Sequence, residues 1–292
     1  MKPISVLAAL LAALTLAAPA RAGDDKIAVV AAENFYGDIA RQIGGDRAAV
    51  VSIMNNPDQD PHLFETTPGI VRLIATAQIA IVNGADYDPW MEKLLAAAPR
   101  PGRLVIDVAA LAGRKAGDNP HLWYDPAIVR RVAMALEADF NKADKEHAAS
   151  YAARLKTFLA SLDRVTQRIA QIKAKYAGEA VTATEPVFGL MAEALGLKMR
   201  NEKFQLAIMN DTEPSARDVA VFERDLKERQ VRVLFYNKQA SSKVVQHLVE
   251  LARAAKIAVV GVTETAPADL SYQDWMLGQL ADTEKALADP SS

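Results

Sequence analysis

Two of the four histidines of this chain occur in closely similar surroundings. His62 lies in the segment DPHLFE at 60–65 and His121 in the segment NPHLWYDP at 119–126, so each follows a proline and precedes a leucine and an aromatic residue. Imidazole is the commonest ligand for transition metals, and a preceding proline restricts the backbone that carries it. A single such histidine is usually a hydrogen-bonded core or surface residue. Because this setting occurs twice, a metal site and a hydrogen-bonded structural role are equal alternatives for these histidines.

Two glutamates occupy corresponding places in the second half of the chain. Glu185 follows a short apolar run in the segment TATEP at 182–186, and Glu264 follows another in the segment GVTETAP at 261–267. Glutamates in loops are mostly solvated surface residues. Their position after predicted strands, like that of the two histidines, makes them candidate oxygen ligands.

Short apolar runs alternate with amphipathic segments on both sides of one long helical stretch, which predicts parallel sheets with flanking helices. In the first half the predicted strands are 26–32, 48–54, 79–83 and 104–107, and the predicted helices are 35–43, 67–75 and 90–98. In the second half the predicted strands are 180–183, 231–236 and 258–262, and the predicted helices are 187–195, 242–254 and 272–288. All four candidate ligands then lie in loops after strands, where open α/β sheets bind ligands.

Residues 144–176 contain no glycine or proline and carry apolar residues at helical spacing. At 1.5 Å per residue, one helix of this length extends roughly 50 Å, and it could form a coiled coil or a spine between two lobes. Strand-rich segments on both sides favour the spine. The expected fold is therefore α/β, with two mainly parallel-sheet lobes at 23–143 and 179–292 joined by a spine helix at 144–178.

The first 22 residues have the pattern of a cleaved signal peptide. A basic start at Lys2 and an apolar run at 4–19 precede Ala20-Arg21-Ala22, a small-x-small pattern typical of signal peptidase sites. A membrane anchor is the alternative, but the run is shorter than the roughly 20 apolar residues of a spanning helix. We therefore expect a secreted, periplasmic protein that starts at Gly23.

Composition narrows the function further. The chain has 34 Lys and Arg against 36 Asp and Glu, a formal charge of −2, which gives no electrostatic case for nucleic acid or anionic lipid. It has no cysteine, so disulfides, thiolate ligands and a lipid-modified cysteine are excluded. No later stretch is apolar enough for stable membrane insertion. Any metal site must consist of nitrogen and oxygen ligands.

The mature chain resembles the metal-binding solute receptors of ABC importers for zinc, manganese and iron, the cluster A-I family. The resemblance rests on the two Pro-His segments, the long helix, Glu185 with Phe188 and Gly189, Gly196-Leu197, and the segment VTET at 262–265 with Ser271-Tyr272. It implies two lobes on a rigid spine and one divalent ion as cargo in the cleft. It further implies His62 and His121 as ligands from the amino lobe, with Glu185 third and Glu264 fourth.

Three departures from the family pattern bear on the metal. Zinc receptors of the family have a histidine as third ligand, whereas this chain has Glu185 there, as manganese and iron members have a glutamate. The fourth ligand is usually an aspartate, and here it is Glu264. The long His- and Asp-rich loop of many zinc receptors is replaced by a short loop at 111–118. Carboxylates suit manganese and iron, but the same ligands hold zinc more tightly by the Irving-Williams order. Manganese or iron is favoured slightly over zinc.

Several neighbouring residues are candidates to support the ligands. Asp60, Glu65 and Asp125 are near enough to accept the second N–H of an imidazole, although turn and helix-capping roles are equally compatible with their positions. Asn237 follows a predicted strand and could face the cleft. His147 and His247 fall inside predicted helices and are interpreted as solvated residues.

The predicted function is capture of a divalent ion and its delivery to an inner-membrane ABC permease by a monomeric protein without catalysis. One alternative is a periplasmic metal-dependent hydrolase, but no H-E-x-x-H segment is present and four ligands leave no open position for water. A metal chaperone or an adhesin on the same fold is a second alternative, since ion binding is common to all three.

Overall fold

The computed structural model describes residues 26–56, 64, 66–240 and 242–289, which form two four-stranded parallel sheets and the helices around them. The predicted signal peptide lies outside these residues. So do His62, the first predicted ligand, and two of the predicted supporting residues, Asp60 and Glu65.

The amino lobe contains a sheet of strand order β2-β1-β3-β4. Its elements are β1 (Ile27–Glu33), α1 (Asn34–Gly44), β2 (Ala48–Met54), α2 (Pro68–Thr76), β3 (Ile79–Val82), α3 (Pro89–Ala97), β4 (Leu104–Asp107), α4 (Val108–Ala112) and α5 (Pro126–Ala143). Because β1 lies inside the sheet, it pairs on both sides: Val30 is in register with Val51 of β2 and with Ala80 of β3. All four carboxyl ends therefore meet at one edge.

Alternate residues of β1 enter different cores, as the two-residue period of a strand requires. Val30 and Ala32 pack with the buried faces of α2 and α3, whereas Val29 and Ala31 belong to a larger core on the other face. Since both faces are covered, the strand is apolar along nearly its whole length.

The carboxyl lobe repeats the same strand pattern as β6-β5-β7-β8. Its elements are β5 (Ala180–Ala183), α7 (Gly189–Ala194), β6 (Lys198–Arg200), α8 (Glu202–Met209), α9 (Ala216–Lys227), β7 (Val233–Asn237), α10 (Lys243–Ala254), β8 (Ala258–Val262) and α11 (Tyr272–Ala288). The sequence analysis predicted three strands in this lobe and missed the short β6. Glu264 therefore follows the fourth strand of the lobe and not the third. The three residues of β6 are only partly buried or exposed, and they carry no apolar run that would predict a strand.

The long helix between the lobes is α6 (Ala148–Tyr176), which packs against α1, α5 and α11. It begins four residues later than predicted, because a short 3-10 turn at Lys145–His147 precedes it. His147 is therefore in that turn and not inside the helix, and its Nδ1 lies 2.9 Å from Asp144 Oδ1. The spine is about 44 Å long at 1.5 Å per residue.

The sequence analysis also missed α4, α5, α8 and α9. The start of α5 carries a recognisable N-terminal pattern, because Pro126 is its first residue and the Asp125 carboxylate accepts a hydrogen bond from the Ala127 N–H. The Ser215 hydroxyl caps α9 in the same way. A capping role was one of the alternatives left open for Asp125, but no helix was predicted after it.

The two lobes share one continuous core. It combines rings of the amino lobe such as Phe35 and Trp123 with carboxyl-lobe residues such as Phe188 and Phe235, and with the buried stripe of α6. The last helix, α11, packs on β8 and also on α1 and α6. This shared packing fixes the position of one sheet edge relative to the other. Across the described residues, no helix combines the length and apolarity needed to cross a membrane.

Candidate metal centre

Three of the four predicted ligands lie together where the lobes meet. His121 follows β4 and α4 of the amino lobe, Glu185 follows β5, and Glu264 follows β8, so each lies beyond the carboxyl end of a strand. All three are buried, Glu185 being the most accessible at 4%. Buried carboxylates and a buried imidazole are costly unless they are paired or bind a cation, so this grouping indicates a functional site.

The imidazole of His121 is held by Asn119. The Asn119 Oδ1 lies 2.7 Å from His121 Nδ1 and also accepts the backbone N–H of His121 at 3.1 Å. Because an amide oxygen only accepts, Nδ1 carries the proton and Nε2 presents its lone pair to the site. The other end of the Asn119 amide donates to the Pro186 carbonyl at 2.9 Å, next to Glu185.

Aromatic rings fix the plane of His121. Trp123 lies edge-on to the imidazole with ring centroids 5.3 Å apart, and Tyr87 packs against both rings at 6.0 Å from His121 and 5.0 Å from Trp123. Phe35 stacks on the other side of Trp123 at 4.4 Å. Buried rings in such contact lose their rotational freedom, so His121 is oriented before any ion binds.

The backbone before His121 is anchored to β3. Asn83, which follows β3, donates from Nδ2 to the Pro120 carbonyl at 2.9 Å and accepts the Tyr36 hydroxyl at 2.7 Å. The proline of the Pro-His segment is therefore fixed by a hydrogen bond to its carbonyl as well as by its own ring.

One amide joins the two carboxylates. Asn237 Nδ2 donates to Glu185 Oε2 and to Glu264 Oε1, each at 2.6 Å. The two N–H groups of an amide diverge, so they hold two negative groups apart while aiming both at the same region. The Asn237 oxygen accepts the Gln239 N–H at 3.0 Å, which fixes the amide orientation.

Gln239 in turn supports the backbone of Glu264. Its Oε1 accepts the Glu264 N–H at 2.5 Å and the Thr265 N–H at 3.3 Å, and its Nε2 donates to the Thr265 hydroxyl at 2.9 Å. The loop after β8 is thus tied to the loop after β7. This network of side-chain amides was not foreseen from the sequence, apart from Asn237.

A ligand of one lobe approaches a ligand of the other. His121 Nε2 lies 3.3 Å from Glu264 Oε2. Two ligand atoms that are each about 2.1 Å from one ion are separated by this distance when they subtend about 100° at it. The separation therefore fits a common divalent ion.

No group of three or more His, Cys, Asp or Glu side chains within the described ranges already has metal-binding geometry. The Asn237 amide lies between Glu185 and Glu264 and hydrogen-bonds one oxygen of each carboxylate. An ion would bind the carboxylates through their other oxygens, of which Glu264 Oε2 already lies 3.3 Å from His121 Nε2.

Tyr87 reaches the site from an unusual turn after β3. Three consecutive residues, Gly84, Ala85 and Asp86, have positive φ angles of 72°, 52° and 63°. The Asp88 carboxylate stabilises this turn by accepting the N–H groups of Asn83 at 2.7 Å and Gly84 at 2.8 Å. Left-handed backbone at non-glycine residues costs free energy and is concentrated at functional sites.

The charge of Glu264 acts on the buried hydroxyl of Tyr87. Burial and then the negative charge of Glu264 raise the pKa of Tyr87 well above its usual range. Burial raises the pKa of Asp88 to about 6, even though its backbone hydrogen bonds act in the opposite direction.

Direct hydrogen bonds also join the lobes around the site. The Tyr124 hydroxyl donates to the Thr263 carbonyl at 2.8 Å, next to Glu264. Asn34 and Ala266 form a reciprocal pair, in which the Asn34 amide donates to the Ala266 carbonyl at 2.7 Å and accepts its N–H at 3.0 Å. These contacts hold the loop of Glu264 against the amino lobe.

The predicted supporting residues differ in outcome. Asn237 lies between the two glutamates, whereas the Asp125 carboxylate caps α5 and it is Asn119 whose oxygen lies beside the His121 imidazole. The residue that supports the His121 imidazole is therefore Asn119 and not Asp125. Asn119 stands two residues before His121 and could have been found by that spacing. His247 is on the exposed side of α10, 3.2 Å from Glu223 Oε1.

Comparison with known proteins agrees with this geometry. The profile of the family described as ZnuA, zinc-uptake complex component A, periplasmic, matches residues 29–286. Among curated proteins, the manganese-binding lipoprotein MntA of Bacillus subtilis is 25% identical over 80% of this chain and 78% of its own length. A putative metal-binding protein of Treponema pallidum is 24% identical over 94% of both chains.

Solved structures show the same fold. The periplasmic zinc-binding protein TroA from Treponema pallidum superposes with a TM-score of 0.76 at 20% identity, covering 90% of this chain and 100% of TroA. FpvC from Pseudomonas aeruginosa, solved in complex with Mn²⁺, gives a TM-score of 0.74 at 19% identity, covering 90% of this chain and 98% of FpvC. On the match over residues 29–286, the chain belongs to the family of the periplasmic component A of zinc-uptake complexes.

Proposed function

We propose that this protein is the periplasmic receptor of an ABC importer, which captures a divalent transition-metal ion between its lobes and delivers it to the permease. The observation that carries the proposal is the buried approach of His121 in one lobe to Glu264 in the other, at 3.3 Å. Relatives named for manganese and zinc binding support the same function.

The proposed ligands are His62, His121, Glu185 and Glu264. Two neutral imidazoles and two carboxylates balance the charge of a divalent ion, so little net charge has to be buried. Both carboxylates can bind through two oxygens and thus allow more than four bonds, as manganese(II) and iron(II) accept. Manganese or iron therefore remains the favoured cargo, with zinc as the alternative.

The proposed division of the chain is a signal peptide at 1–22, an amino lobe at 23–143, a spine at 144–178 and a carboxyl lobe at 179–292. Because α6 and α11 pack across the lobes, wide hinge closure would break much of the shared core. We expect ion uptake through movement of the site loops and a modest tilt of the lobes. The loaded form would then dock on the permease as a monomer, without catalysis.

Calorimetric titration of the mature protein with Mn²⁺ and with Zn²⁺ tests the proposal. H121A and E185A are expected to weaken binding of both ions by about a thousandfold, because each removes a buried ligand and leaves its partners unpaired. H247A is the matched control, since His247 is an exposed histidine paired with Glu223. Unchanged affinity of H121A and E185A would overturn the assignment.

The pH dependence gives a second readout. Binding of either ion should weaken as the pH falls below about 6, because protonation of the imidazoles competes with the ion. A profile that is flat between about pH 7 and 5 would contradict an imidazole ligand set.

A further inference from the structure

Glu33 is a buried acid at the same sheet edge as the proposed ligands. It is the last residue of β1, an inner strand of the amino-lobe sheet, and only 1% of its surface is exposed. It pairs in register with Met54, the end of β2. The segment that carries His62 leaves from β2, and Tyr87 follows β3 on the other side. Glu33 thus lies between the strand ends that lead to the site.

The direction of Glu33 follows from the strand period. Val29 and Ala31 precede it on the same side of β1, and both belong to the core that the lobes share with Phe35 and Trp123. The carboxylate therefore continues the face that meets the carboxyl lobe, and not the opposite face that is covered by α2 and α3.

Tyr87 links Glu33 to the group of proposed ligands. Burial raises the pKa of Tyr87 first, and the charges of Glu264 and Glu33 add to this effect, so both carboxylates act on the same hydroxyl. Tyr87 is also in ring contact with His121. Glu33 accordingly approaches the site from the amino-lobe side.

The Glu33 carboxylate has no donor or cation from another described residue. Both of its oxygens are fully buried, and neither has a hydrogen-bond partner among the residues that the structure describes. Burial and then the charge of Asp88 raise the pKa of Glu33 well above its usual range. A buried acid that no donor or cation satisfies is rare in a folded protein and calls for an ion or another functional explanation.

We propose that Glu33 is a third carboxylate of the metal site and supplies an oxygen ligand to the bound ion. The proposal rests on the proposed function. Such a ligand would raise the coordination number above four and add negative charge. Both changes favour a hard ion such as manganese(II) or iron(II), whereas zinc is satisfied by four ligands. Glu33 would therefore set the balance between manganese and zinc.

The test compares E33Q with wild type and with D139N. Glutamine keeps the size of the side chain and removes its charge. Asp139 is the control, because it is a buried carboxylate that pairs with Lys142 and lies about 20 Å along α5 from the first turn of that helix. Mn²⁺ and Zn²⁺ affinities are measured by competition titration. X-ray absorption of the Mn²⁺-loaded proteins reports the number of oxygen and nitrogen ligands.

E33Q is expected to weaken Mn²⁺ binding by about 10- to 100-fold and Zn²⁺ binding by no more than about threefold, with one light-atom ligand fewer around manganese. D139N should match wild type in all three measurements. Equal loss for both ions with an unchanged ligand number would overturn the proposal, because it would show an effect of charge alone. Unchanged affinities in E33Q would also overturn it.

The metal-free proteins provide a control for folding. Since the Glu33 oxygens are unsatisfied, E33Q should unfold at the same temperature as wild type or higher, so lost Mn²⁺ affinity cannot come from a damaged fold. A large fall in the unfolding temperature would show a structural role and overturn the proposal. If wild type itself bound neither ion, the proposed function would fail. If wild type and E33Q both bound the ions normally, only the proposal for Glu33 would fail.

Discussion

The two lobes have the same strand order, β2-β1-β3-β4 and β6-β5-β7-β8, yet they hold their ligands by different means. In the amino lobe, the His121 imidazole packs against aromatic rings and is oriented by one hydrogen bond from Nδ1. In the carboxyl lobe, Glu185 and Glu264 share the amide of Asn237. An imidazole offers one lone pair and needs its ring plane fixed, whereas two carboxylates repel each other and need donors between them. The same topology therefore accommodates two kinds of preorganisation.

Removing the ring behind His121 should have the largest effect on stability. Trp123 is fully buried against Phe35, Tyr87 and His121, so W123A should lower the free energy of unfolding by about 3–5 kcal/mol. It should weaken ion binding as well. Urea denaturation of W123A and W90A measures the difference, because Trp90 is only partly buried on α3. A loss in W123A no greater than that in W90A would contradict support of His121 by packing.

Removing the shared amide should affect affinity more than stability. N237A leaves Glu185 and Glu264 without their common donor, and loss of such a supporting group typically costs about 10- to 100-fold in metal affinity. Calorimetry with Mn²⁺ would measure it, with N141A as control because Asn141 bonds Glu137 on α5. If N237A bound Mn²⁺ as tightly as wild type, the contrast between the lobes would be lost.

A third region, the turn before the spine, should affect stability and leave ion binding unchanged. Burial alone would raise the pKa of Asp144, but hydrogen bonds from His147, Tyr151 and Arg47 lower it to about 2. Because the folded pKa lies below the unfolded value of about 3.9, the stabilisation is present above about pH 4 and is lost as the pH falls toward 2.

D144N should therefore lower the free energy of unfolding by about 1–2 kcal/mol at pH 6 and by less at pH 3. Urea denaturation at both values measures the change. D46N serves as control, since the Asp46 side chain is 80% exposed and pairs with Arg154 at the surface. An equal loss for D144N at pH 6 and pH 3 would show that ionisation of Asp144 is not the cause.

Much of the fold could be predicted from local pattern. The predicted strands at 48–54, 104–107, 180–183 and 258–262 agree with the structure residue for residue, because each is a short apolar run bounded by polar or turn residues. The two-lobe fold with a spine helix is confirmed by its similarity to TroA. The prediction missed β6 because it lacks an apolar run, and it assigned no element to α5 although Ile128, Val132 and Leu136 have helical spacing.

The candidate site shows the same limit. His121, Glu185 and Glu264 could be chosen because residue type and position after a strand are visible in the sequence. Asn119 could have been considered for its spacing from His121, but Gln239 and Tyr87 could not be chosen, because their roles depend on where their side chains point. Glu33 lies just after the predicted strand at 26–32 and was not chosen as a candidate, since only its burial without a partner among the described residues distinguishes it.

The sequence by itself determined the alternation of strands and helices, the spine, and the nitrogen and oxygen chemistry of the candidate ligands, since these depend on residue type and spacing along the chain. The tertiary structure decided which groups meet. Tyr124 and Thr263 are 139 residues apart in sequence and hydrogen-bonded at 2.8 Å. His121 and Glu264 face each other only because parallel pairing aligns the strand ends and the shared core fixes one lobe on the other. Such long-range contacts leave no local pattern in the sequence.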